Sequence, residues 1–500
     1  MPALITSCLP HLIAAPILLP LHAALLLFLW PRPWRLISLP AAGLTLVATA
    51  LLLHCTLTQG EIDYALGAWQ RPLGVHWRLD AIGALLLLTT SILMLAVLVA
   101  MMRPPASAPA APGASAQERS YLVPLCLFLW TGLNALFTAA DLFHLYVALE
   151  LVTLSAVALV AQGGDSRALD AATRYLFAAV FGSLLYLLGL ALLYGQYAVL
   201  DVGLLGERLR AERLLSDALA MTAITLGLAL KAALVPLHFW LPAAHSRAKP
   251  GVSALLSGLV VASGSYLLLR LWLGPFQPWL QPPVSTLLGT IGAATMLWGA
   301  LQALQQRRLK RLVAYSTISQ SGLILLALPL ALGEGPAFIG AILLMVNHAL
   351  AKAALFLSAG LLVRHAGHDH LRRLGQARGP LAPVWLAFAL AALALVGAPP
   401  SLGFAGKWAL LQAAVAQHAW AWLALIMLSG LLTLAYLYRV VAPALGPSCS
   451  QTPPVTSSPT AITWSEYAII LLLAGLAFTL GLLILPLVPA LQTVRAGLPT

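Results

Sequence analysis

The sequence predicts an all-α polytopic membrane protein of about fourteen transmembrane helices, with two inverted five-helix repeats that contain broken helices. Three observations carry this. Of 500 residues, 61% are hydrophobic and only 8% charged, too few charges to cover the surface of a soluble protein. Apolar stretches of about 20 residues, enough to cross a ~30 Å hydrocarbon core as helices, recur along the whole chain. Two of them are interrupted by Pro and Gly beside a lysine, in corresponding halves of the chain, which is the pattern of inverted repeats around a polar route.

The elements follow in order. Spans at 7–30, 36–57 and 81–102 make an N-terminal three-helix segment, residues 1–102; the first lacks a basic leader and reads as a retained helix. "DYALGAWQRPLGVHWRLD" (63–80), with Gly and Trp punctuation and alternating polarity, reads as an outer-face hairpin. Residues 103–118 are a Pro/Ser/Ala-rich cytoplasmic linker. Spans at 121–139, 142–162, 171–197, 218–240 and 251–272 form a first repeat (119–275). Those at 284–305, 311–331, 336–363, 380–414 and 419–443 form a second (276–443). A second linker (444–464) precedes the last segment, 465–500, with its span at 465–489. Trp69, Trp130, Trp240 and Trp272 are expected to anchor at membrane interfaces.

A net charge of +12 suggests nucleic acid until its distribution is read. Loops after odd-numbered spans hold 17 of the 27 basic residues and the opposite side seven, so the odd loops are cytoplasmic and both termini lie outside a cell (inner) membrane. Cys8, Cys55, Cys126 and Cys449 are scattered, and neither a dinucleotide nor a phosphate-binding glycine motif occurs. No cofactor and no metal site is therefore expected, and redox chemistry is not expected of this chain by itself. "HAGHDH" (365–370) reads as a solvated loop next to Arg364.

The chemistry concentrates in buried ionisable residues. Of only five lysines, Lys231, Lys352 and Lys407 lie inside apolar spans, whereas no arginine is clearly central. Arginine keeps its charge in any protein environment, but a buried lysine can give up its proton, so lysine is the cation for proton transfer. Glu150 is the one carboxylate deep in a span, and it is expected to face Lys231, because each relieves the desolvation of the other. His348 and Lys352 fall one turn apart on one helix face, with Asn347 beside them. Lys407 follows "GAPPSLGFAG" and would be the exit group. Accessory candidates are His238 and His245, as interfacial or gating residues beside the first break, and Asp141, which reads more naturally as a helix cap.

"LKAALVPLHFWLPAAHSRAKPGVSALLSG", "LKRLVAYSTISQSG", "NHALAKAALFLSAG" and "GAPPSLGFAGK", in that order, resemble the proton-conducting antiporter-like subunits shared by respiratory complex I, Mrp-type cation/proton antiporters and membrane-bound hydrogenases. The match covers about residues 63–443 and is nearest to the D-type polypeptide of Mrp antiporters and to the lysine-terminated antiporter-like polypeptide of complex I. The resemblance implies fourteen helices and a proton relay of Glu150, Lys231, His348, Lys352 and Lys407, driven by partner membrane subunits, with H⁺ and Na⁺ as the candidate ions. Three positions depart from the family's pattern: Ala262 replaces an eighth-span Lys or His, Leu344 a polar residue before His348, and Trp408 an acid after Lys407. Water held by Ser263 or Ser265 would have to bridge the resulting gap. The function expected is a proton-translocating subunit of an antiporter or of a quinone-linked respiratory or hydrogenase complex. A non-conducting scaffold is the alternative.

Overall fold

The computed structural model describes residues 11–484 except 32–33, 70, 72–73, 102–120, 212, 333–335, 375–380 and 446–461. The linker 103–118, residues 446–461 of the second linker, Cys8, Cys449 and the extreme termini thus lie outside the described residues.

The chain opens with α1 (Ala15–Leu29) and α2 (Trp34–Gln59). The antiparallel hairpin β1 (Ile62–Ala65) and β2 (His76–Leu79) follows, pairing Asp63 with Arg78, and leads into α3 (Ala81–Ala100), which Asp80 caps through Gly83 N at 2.6 Å. Next come α4 (Leu122–Thr138), α5 (Leu142–Ala161), α6 (Ser166–Tyr197) and a short amphipathic α7 (Val202–Ala211). Helix α7 is not among the expected spans, because ten residues with charged Arg208 and Arg210 fall below the span signal.

The first broken span consists of α8 (Leu215–Lys231) and α9 (Leu241–Arg247), followed by α10 (Pro250–Leu273), which contains a π-turn at Leu256–Val260. The second half repeats this order: α11 (Pro282–Gln305), α12 (Leu309–Leu330), α13 (Ala337–Ala366), a one-turn α14 (Leu371–Leu374), then a broken pair α15 (Ala382–Val396) and α16 (Leu402–Ala416), then α17 (Trp420–Leu445). Helix α18 (Trp464–Ile484) closes the described chain. Ten of these helices are long and apolar enough to cross a membrane, and four shorter apolar ones accompany them, among them both halves of the second broken span.

Burial explains the arrangement. Helices α10, α12 and α13 are almost wholly enclosed, whereas α2, α17 and α18 turn most of their surface outward, with Leu36, Leu44 and Leu431 exposed as lipid-facing residues would be. Helix α13 touches α10, α12, α15, α16 and α18, so the segment bearing His348 and Lys352 is the central post. Close approach at the first break depends on Gly264 of α10, where a Cβ would stand 2.8 Å from Ala232 N. Gly264→Val is expected to cost about 1–3 kcal/mol through overpacking, read as a lowered thermal midpoint of the purified protein.

The tryptophan expectation needs correction. Trp130 and Trp240 are fully buried and Trp272 is nearly so; only Trp69 is exposed. Trp240 stacks on Tyr175 at 4.2 Å and donates from Nε1 to the carbonyl of Leu230, so it serves the first break and not a membrane interface.

Candidate functional site

Each broken span brings a lysine to the C-terminal end of a helix, where backbone carbonyls lack intrahelical partners and attract a cation. Lys231 is the last residue of α8. Its Nζ donates to Thr153 Oγ1 at 2.8 Å and to Glu150 Oε1 at 3.4 Å, both on α5. Glu150 and Thr153 sit three residues apart on one face of α5, and Ser183 of α6 also donates to the Glu150 carboxylate. This is the pairing expected from the sequence. Lys407, in the second turn of α16, reaches back across the break and donates to Val396 O at the end of α15, at 2.8 Å. Gly397 makes room for it: its φ is +87°, and a Cβ there would meet Lys407 Cδ at 2.9 Å.

Lys352 lies between these ends on α13 and is fully buried. It donates to Val313 O at 3.1 Å and to Ser316 Oγ of α12, and among the described residues it has no carboxylate partner. His348, one turn earlier, bonds through Nε2 to the carbonyl of Ser257 at 3.1 Å. That carbonyl belongs to the π-turn of α10, where widened winding turns backbone groups sideways. Ser257 Oγ in turn bonds Thr317 Oγ1 at 2.7 Å, joining α10 to α12.

The π-turn ends two residues before Ala262 on the same helix. A cavity of about 10 Å³, bordered by Lys231, Thr153, Val260 and Ser263, separates the Glu150–Lys231 pair from it. That volume is of the order of one water. Ser263 Oγ donates to Val260 O at 2.7 Å, and Ser265 Oγ is buried without a hydrogen-bond partner among the described residues. Leu344 and Trp408 belong to the packing instead: Leu344 is buried against Gly406, and Trp408 is half exposed and stacks on Phe404.

Between Lys352 and Lys407 runs a set of polar residues absent from the candidates expected on sequence grounds. Ser316 and Gln320 of α12 meet Thr433 and Tyr436 of α17, and Ser429, one turn before Thr433, donates to Ile426 O at 2.6 Å. Gln320 Nε2 donates to Thr433 Oγ1 at 3.4 Å, and Tyr436 OH donates to the same oxygen at 3.2 Å. Gly430 is adjacent to Ser429, and a Cβ built on it would lie 3.5 Å from Lys407 Nζ. The available signal was the spacing of Ser429, Thr433 and Tyr436, at i, i+4 and i+7 of an otherwise apolar helix.

The accessory residues divide. Asp141 caps α5, its carboxylate accepting from His144 N at 2.6 Å. His238 accepts from Trp298 Nε1 at 3.0 Å, off the lysine line. His245, read from the sequence as an interfacial or gating residue, is fully buried and so not interfacial; its ring stacks on Phe356 of α13 at 4.8 Å, and neither nitrogen has a hydrogen-bond partner among the described residues. The break turns α9 inward, and that reversal could not be read from the sequence.

Comparison with known proteins matches residues 139–433 to the family described as NADH:quinone oxidoreductase/Mrp antiporter, TM. The chain belongs to this family. It is 35% identical over 450 residues to the N subunit of NADH-quinone oxidoreductase from Desulforudis audaxviator, covering 87% of this chain and 86% of that protein. It is 28% identical to the D subunit of the Na(+)/H(+) antiporter from Bacillus subtilis, over 94% of each. Two solved structures share the fold at 24% identity. A polypeptide of the Mrp complex from Dietzia sp. has a TM-score of 0.83, over 98% of this chain and 97% of that one. One from an archaeal membrane-bound sulfane sulfur reductase has 0.84, over 97% and 96%. Membership in this family agrees with the four sequence motifs and with the multi-pass membrane architecture.

Proposed function

We propose that this family member is a proton-translocating membrane subunit of a multi-subunit complex, and that the proton moves along Glu150, Lys231, His348, Lys352 and Lys407. The observation that carries the reading is a line of three buried ammonium groups, of which only Lys231 faces a carboxylate among the described residues. A charge at such depth is costly, and a structural role does not call for three in line. Opening the Glu150–Lys231 pair leaves an ammonium without its counter-charge, and the proton then passes to water beside Ser263. The π-turn and His348 lead it to Lys352, and the α12–α17 hydroxyls lead it to Lys407.

Residues 119–275 and 276–443 act as two half-units in this reading, each contributing one broken span. The partners are other membrane subunits, and the membrane is the inner membrane with both termini outside, which the asymmetry of basic loops supports. The names of the relatives allow an antiporter component exchanging H⁺ for Na⁺ or the pump module of a quinone-linked complex. Subunits that co-purify from native membranes separate these: flavin or iron–sulfur proteins mean a redox pump, and small hydrophobic subunits alone mean an antiporter.

The test is proton flux in vesicles holding the assembled complex. Tyr436→Phe and Thr433→Val are expected to lower flux severalfold without loss of assembly, because they interrupt the hydroxyl string and keep its shape. Unchanged flux in both would place the transfer to Lys407 elsewhere. The scaffold reading requires that no variant along the line alters flux at all.

A further inference from the structure

The connector of the first break, residues 232–240 between α8 and α9, is gripped from the other half of the chain. Carbonyls at the end of α8 take up its first amides: Ala232 N donates to Leu228 O at 2.7 Å and Leu234 N to Ala229 O at 2.9 Å. Ala233, between them, stands at φ +53°, in the left-handed region that residues with a Cβ seldom enter. Such a conformation persists only where its surroundings hold it.

Just beyond Ala233, two side chains of α11 take hold. Val235 N donates to Thr295 Oγ1 at 3.0 Å, and Trp298 Nε1 donates to His238 Nε2 at 3.0 Å. Thr295 and Trp298 are three residues apart and share one face of α11. Thr295 is fully buried, and its hydroxyl proton goes to Ile291 O at 2.7 Å, which leaves the oxygen lone pairs to the connector. Helix α11 is a firm support, because it packs so closely on α12 that a Cβ on Gly292 would stand 2.9 Å from Gly322 O. The second break is tied differently: Asn347 of α13, in the same half, donates to Ala394 O at 3.2 Å.

We infer, resting on the relay reading above, that Thr295 and Trp298 are positioning residues: from the second half of the chain they hold the connector, and with it the end of α8 that sets Lys231 opposite Glu150. They act through the connector backbone and not on the proton itself. Lys231 is the last residue of α8, and the 3.4 Å from its Nζ to Glu150 Oε1 is already at the long limit of a hydrogen bond. A small shift where α8 ends therefore opens the pair. Movement of the two halves against each other reaches Lys231 by this grip.

The test compares Thr295→Val and Trp298→Phe, which each remove one hydrogen bond and keep an apolar side chain in place, with Thr295→Ser, which keeps the oxygen. In the assembled complex, hydrogen–deuterium exchange of the peptide covering 232–240 is expected to quicken about two- to tenfold in the first two, as loss of one hydrogen bond implies, and to keep the parent rate in the third. Exchange in the rest of α11 is expected to stay as in the parent. Proton flux in vesicles is expected to fall severalfold in Thr295→Val and Trp298→Phe and to be retained in Thr295→Ser. Unchanged exchange in both of the first two overturns the inference, as does quickened exchange with full flux, which would make the grip a matter of stability alone. Lys231→Met separates this from the relay itself: if that variant keeps its flux, the relay fails, and the exchange rates alone then decide whether α11 holds the connector.

Discussion

Lys352→Met is expected to reduce proton flux through the assembled complex by about 10²-fold or more, as loss of an essential proton carrier does, while leaving the protein at least as stable as before. The second half of that expectation is what sets it apart. Lys352 is wholly enclosed, its ammonium is held by Ser316 and a backbone carbonyl, and it lacks an acid partner among the described residues. An amine in such a place costs roughly 2.5–3.5 kcal/mol on membrane-insertion scales. Methionine fills a similar volume without that cost. Flux comes from a pH-sensitive dye in vesicles, and stability from the thermal midpoint in detergent. A large drop in the midpoint would mean that Lys352 is a structural cross-brace, and retained flux would remove it from the relay.

Glu150 and Lys231 are expected to behave in the opposite way. Either Glu150→Gln or Lys231→Met abolishes flux, and Glu150→Gln also destabilises the fold by up to about 3–5 kcal/mol, because it leaves a buried cation without its counter-charge. The double variant is expected to regain most of that stability and none of the flux, since replacing both members of a buried pair is close to neutral. Recovery of flux in the double variant would show that the pair is merely structural. Thermal melts and flux measured on the same four preparations decide the matter.

Much of this site was legible in the sequence because lysine in an apolar span admits few explanations. Lys231 and Glu150 are 81 positions apart, yet their contact followed from mutual desolvation alone. His348 and Lys352 needed only the helical period. Hydroxyl residues were harder: Ser and Thr are common in membrane helices and usually bond their own backbone, as Thr131 and Thr222 do here. Thr433 and Tyr436 therefore offered only their spacing along one helix, and Ser316 nothing, until α12 and α17 were seen side by side. The tryptophans erred for a related reason. Trp240 beside a break looked like an interface anchor, and only the stacking on Tyr175 showed that it covers the break from inside.

The sequence by itself determined that the chain spans a membrane, that two of its helices break beside lysines, and that three lysines lie inside apolar spans, since composition, proline placement and charge in an apolar run act locally. The tertiary structure alone decided what lies between the amines. How α10 packs against α8 and α13 sets the π-turn carbonyl beside His348 and the water-sized cavity beside Lys231. Helix winding and the meeting of side chains from distant spans are set by packing across the whole bundle, and no local pattern of residues encodes them.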